Sequence, residues 1–179
     1  MTSEPITSPS ASVVTANNVL LIVDAESLLS RYPQPSLESQ NPTVIEDAFI
    51  FPVSSSTTTQ NAENDSKITL IASNGKVFHI RGRTVSLLAE HTVVFHNLTV
   101  DDAGVLSPPK LIVHSDQTVP APDPVNPIQP GSHSADDHYW ECSQLSTGVT
   151  VCELSFMLIN QRCEAVGYFS WKTEVTLSA

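Results

Sequence analysis

The chain has 179 residues, 40% of them hydrophobic, with 19 acidic against 8 basic side chains and a formal net charge of −11. That is enough for one domain with a real core, and no run approaches the ~20 apolar residues of a membrane-spanning helix. The acidic surface repels phosphate backbones and weighs against a nucleic-acid partner.

Residues 1–16, rich in Ser, Thr and Pro, read as a disordered tail, and 17–179 as a single domain. The N-terminus lacks the basic and apolar regions of a secretory signal, so the expected compartment is the cytoplasm. Asn18–Asp24 holds five consecutive apolar residues rich in Val and Ile, which suits a doubly buried strand. Ala25–Arg31 has room for about two helical turns at ~3.6 residues each before Tyr32-Pro33. Asp24 and Glu26 form a carboxylate pair suited to acid–base work, but a cap on the short helix is the favoured role for Asp24.

Tyr32-Pro33-Gln34-Pro35-Ser36 and Asn41-Pro42-Thr43 read as a stiff connection. Glu46–Val53 is expected as a strand with Phe49 and Phe51 on one face, and Ser54–Ser66 as a polar loop. Strands are expected at Lys67–Ala72, Lys76–Arg81, Arg83–Glu90, Thr92–Val100 and Lys110–Val119. The first two are separated by a Ser73-Asn74-Gly75 turn, the next two by Gly82; Asp101–Gly104 makes a further turn.

Pro120–Gly131 contains five prolines and reads as a long surface loop. His138–Leu145 and Val149–Asn160 are expected as a hairpin about Ser146-Thr147-Gly148. Ala165–Leu177 closes the fold, with Phe169, Trp171, Val175 and Leu177 on one face. Burying one such aromatic contributes ~3 kcal/mol by area. The fold class expected is all-β: an antiparallel β-sandwich of jelly-roll or immunoglobulin-like type with one short helix after the first strand.

No catalytic pattern stands out. There is no Gly-x-Ser-x-Gly elbow, phosphate loop or His-Glu-x-x-His, and no cofactor is expected. His91 and His96 could sit on adjacent strand ends, but the six histidines form no metal motif, so no metal site is expected. Cys142, Cys152 and Cys163 match no zinc spacing and are expected as free thiols, with a Cys142–Cys152 bridge across the hairpin as the alternative. His138 lies about 13 Å from Cys142 if both are on one strand, too far for a Cys–His pair. Tyr139 and Trp140 beside Asp137 and Glu141 are the candidate ligand-binding residues, since aromatic faces flanked by carboxylates suit a glycan.

Gly167-Tyr168-Phe169-Ser170-Trp171 adds to an ordered set: Asn18–Asp24, the Tyr32–Ser36 and Asn41–Thr43 segments, and Gly75–Thr84 with Arg81-Gly82. Over residues 17–177 this set resembles the AidA/PixA family of bacterial inclusion-body proteins. The pattern departs at Ser170 and Lys172-Thr173. The resemblance implies an abundant, non-enzymatic cytoplasmic protein, made late in growth or under quorum control, that acts by binding or self-assembly and in some members touches a host. Only two methionines, Met1 and Met157, are present, so a methionine store is not expected. A carbohydrate-binding module is the alternative.

Overall fold

The computed structural model describes residues 16–46, 49–54, 67–71, 76–86, 90–123, 125–126 and 128–178. The expected disordered tail (1–15), most of the Ser54–Ser66 loop and the Ser73-Asn74-Gly75 turn lie outside the described residues.

Among the described residues, ten strands form two facing sheets, with one short helix beside them. They are β1 (Asn17–Val23), α1 (Ala25–Arg31), β2 (Thr43–Val44), β3 (Ile50–Ser54), β4 (Lys67–Ile71), β5 (Val77–Thr84), β6 (His91–Val100), β7 (Lys110–Pro122), β8 (Pro130–Ser143), β9 (Gly148–Asn160) and β10 (Ala165–Ser178). One sheet runs β3-β1-β5-β8-β7; the other runs β2-β10-β9-β6, with β4 also on β10. The all-β sandwich is therefore present. Both sheets are mixed, because β1 runs parallel to β5, and β10 parallel to β2 and β4.

Alternation decides which side chains are sealed. Val19, Leu21 and Val23 of β1 meet Leu154, Phe156 and Leu158 of β9 and Phe169, Trp171, Val175 and Leu177 of β10 in one apolar core. Trp171 is 1% exposed and Phe169 fully buried, as their shared parity predicts. The helix begins where expected: Asp24 accepts the backbone N–H of Ser27 at 3.0 Å and so caps α1.

Five expectations are corrected. The strand expected at Glu46–Val53 begins only at Ile50, and Ile50 is the residue turned inward while Phe51 faces solvent. Gly82 does not break a strand, because β5 runs through it to Thr84. A Cβ at Gly82 would run into the Phe95 ring, so the residue is a packing requirement and not a turn. His91 and His96 lie on the same strand, β6, and not on adjacent strand ends.

The loop expected at Pro120–Gly131 is ladder at both ends: Pro120, Ala121 and Pro122 pair with Ser132, Gly131 and Pro130. Proline is tolerated there because β7 is an edge strand. Finally, β8 and β9 are not a hairpin. They belong to opposite sheets, and the chain between them arches across the sandwich. The crossing is held by Gln144 N–H on Lys76 O, Leu145 N–H on Val105 O and Ser107 N–H on Ser143 O. The cause is that Trp140 and Cys142 on β8, like Cys152 and Leu154 on β9, all turn toward the one core.

Candidate functional site

The face of the first sheet turned away from the core is set by β5 and β8. His79, Arg81 and Arg83 alternate with inward Phe78, Ile80 and Gly82 along β5; Asp137, Tyr139 and Glu141 alternate with Trp140 and Cys142 along β8. The register places His79 opposite Glu141 and Ile80 opposite Trp140, where the backbone pairing of these two strands ends. Side chains carry the contact further.

Arg81 places its guanidinium 4.4 Å from the centroid of the Tyr139 ring and donates to Asp137 Oδ2 at 2.9 Å. It also donates to Asn18 Oδ1 at 3.0 Å, tying β1 into the group. His79 stacks on Tyr139 with centroids 4.1 Å apart, and its Nε2 lies 3.2 Å from Glu141 Oε2. On the next strand, His114 Nε2 is 3.1 Å from the Tyr139 hydroxyl. The Arg81 hydrogen bond holds the Asp137 carboxyl below its ordinary value of 3.8, against an opposing effect of partial burial. Arg83, more exposed, lies 3.8 Å from the same carboxylate.

Of the four sequence candidates, Asp137, Tyr139 and Glu141 thus share one outward network. Trp140 faces the other way, packs against the core and donates its indole N–H to Phe95 O at 2.9 Å. A sugar ring therefore cannot stack on Tyr139 and Trp140 together. The Tyr139 ring is already covered by His79 and Arg81, and the residue is 9% exposed. Sequence reading missed His79, Arg81, Asn18 and His114. The signal was available in part: His79, Arg81 and Arg83, and acids at 137 and 141, repeat at the two-residue period of a cross-strand ladder.

The core has a void of about 20 Å³, lined by Leu21, Ile68, Leu98, Leu154, Thr173 and Val175 among others. That is about the space of one water molecule, so the void takes no substrate. Burial pushes the thiols of Cys142 and Cys152 up to about 12, with each thiol further disfavoured as an anion by a neighbouring acidic group. Burial also lowers the His96 imidazole below its ordinary value of 6.5, and its ring lies edge-on to Tyr168. Among the described residues, no group of three or more His, Cys, Asp or Glu converges on a metal-sized space.

Two stretches that sequence reading set side by side also meet in space. Tyr168 N–H donates to Ser36 O at 2.8 Å, and Thr43 and Val44 pair with Phe169 and Ser170. A Cβ on Gly167 would come within 2.6 Å of Pro35, so the missing side chain is what lets the proline-stiffened segment seat on β10.

A family model described as PixA, inclusion body protein, matches residues 15–177. The fold is similar to the crystal structure of an inclusion body protein of that family from Burkholderia cenocepacia J2315. The TM-score is 0.74 at 19% identity, covering 93% of this chain and 98% of that one. No curated protein matches the chain. No helix among the described residues is long and apolar enough to cross a membrane.

Proposed function

Because the chain belongs to the PixA family of inclusion body proteins, we propose that it acts without catalysis, as an abundant cytoplasmic protein of bacteria that associates with copies of itself. The observation that supports this reading best is the set of large apolar side chains held in water at separate places. Leu37 and Val44 lie beside and on β2, Phe51 and Val53 on β3, and Val125 and Ile128 at the end of the β7–β8 hairpin. Apolar side chains exposed singly are ordinary on a monomer, so the weight lies on those that stand close together, Phe51 and Val53 on edge strand β3 and Val125 and Ile128 in one turn. Light scattering over a concentration series tests it: mass should rise with concentration, and a strict monomer at the highest concentration overturns the reading.

Contact with a host and production late in growth or under quorum control go with this role. A promoter reporter that stays flat through growth would count against the regulatory part. A carbohydrate-binding role would have to use the outward face at Asp137, Tyr139 and Glu141, without help from Trp140. A glycan array with no signal on the wild-type protein removes it.

A further inference from the structure

The β7–β8 hairpin outruns the sheet it belongs to. Backbone pairing of β8 with β5 covers only Trp140–Ser143, whereas its pairing with β7 continues to Pro130. At Ser115-Asp116 the register shifts, and Asp116 takes a positive φ of 55° with its N–H on Asp136 Oδ1 at 2.9 Å. Such a bulge bends and twists a ribbon. Among the described residues, the two strands beyond it pair only with each other, as an arm of five residue pairs from Thr118–Ser134 to Pro122–Pro130 joined to the body through Gln117–Ala135.

The end of the arm is a built turn. Asp123 Oδ1 accepts the backbone N–H groups of Val125 at 2.8 Å and Asn126 at 3.1 Å, and Gln129 N–H donates to Asn126 O at 2.9 Å. This turn holds two aliphatic side chains outward, with Val125 92% and Ile128 91% exposed. From Gln117 to Ala135 the arm carries one carboxylate, Asp123, and one imidazole, His133, in a chain of net charge −11. Two copies that meet there face little like-charge repulsion.

We infer that the arm is the contact surface for a second copy of this chain, the two arms packing along one another with Val125 and Ile128 of each tip buried in the contact. This deepens the self-association proposed above and rests on it. Five to six residue pairs at ~3.3 Å rise and a two-strand width of ~10 Å give on the order of 200 Å² per copy before the tip is added. Over both copies that is about 400 Å², well below the ~1,200 Å² total of a stable interface. The pair is therefore weak and fills only when the protein is concentrated. The prolines at 120, 122 and 130 fit this mode, since they cannot donate to an added strand and so leave side-chain packing as the attraction.

The test compares full-length wild type with Val125→Asp/Ile128→Asp by sedimentation equilibrium, with circular dichroism to confirm that both are folded. The double substitution should raise the concentration for half-association at least tenfold; Val125→Leu/Ile128→Leu should leave it within twofold. If wild type associates and the Asp variant does so equally, the arm is not the contact and self-association stands on another surface. If wild type stays monomeric throughout, both readings fall. A second test introduces Arg at Ala135, nearer the body, where a charge should weaken association without touching the tip turn; an unchanged midpoint for a folded Ala135→Arg protein also overturns the arm–arm contact.

Discussion

At the scale of single residues, the outward network and the sealed core make opposite demands. Arg81 serves Tyr139, Asp137 and Asn18 at once, so its loss removes side-chain ties among three strands whose backbones stay paired. Asp137 has a folded pKa lowered chiefly by that guanidinium. A depressed carboxylate contributes stability that is present above its unfolded value of 3.8 and is lost as pH falls through the folded value. Arg81→Met should cost up to about 1 kcal/mol near neutrality. The gap to wild type, read from urea unfolding, should narrow as pH drops below that range. A gap that widens in acid would contradict the pairing. In the core the demand is for space. Gly82→Ala should destabilise by about 1–3 kcal/mol, the cost of overpacking against a ring with nowhere to turn. Phe95→Leu in the same chain should recover part of that loss in thermal unfolding, because the obstacle is the Phe95 ring.

At the scale of elements, α1 is short enough that its cap matters. Asp24 is the side chain that satisfies an amide of the first turn, and Ala25 and Leu28 bury the helix against the core. Asp24→Ala should cost about 1 kcal/mol, measured as a shift in denaturant midpoint with unchanged slope. An unaltered midpoint would mean that packing of Leu28 alone holds the turn. The strands show how far local pattern reaches. Phe169, Trp171, Val175 and Leu177 were legible because a two-residue period is local and one face is sealed. Gly82 was not, since nothing in its neighbours announces an aromatic ring arriving from β6. The prolines at 120, 122 and 130 signalled a loop because proline breaks interior strands; they are compatible with pairing only at an edge, which is a property of the finished sheet.

For the whole molecule, the decisive fact is the arch between β8 and β9. Short turn residues between two alternating segments suggested a hairpin, but the order of strands depends on which layer each segment joins, a long-range outcome. The same limit hid the outward network. Asp137, Tyr139 and Glu141 were visible as neighbours, while His79, Arg81 and His114 reach them only through sheet pairing. The two layers close over Cys142 and Cys152 and leave Cys163 in solvent. In the native protein a thiol reagent should therefore label one cysteine quickly, and the remaining two only after denaturant opens the sandwich. Fast labelling of all three would mean that the layers separate readily.

The placement of β10 has a bearing on synthesis. It is flanked by β9 on one side and by β2 and β4 on the other, all of which leave the ribosome before it. Until it emerges, β2 and β4 lack the strand they pair with and β9 is paired on one side only, with β6, so backbone groups wait open in a crowded cell. Closure therefore waits on contacts distant in sequence, which makes it slow. The interval in which a nascent chain meets its like before it is finished is part of how this fold is made.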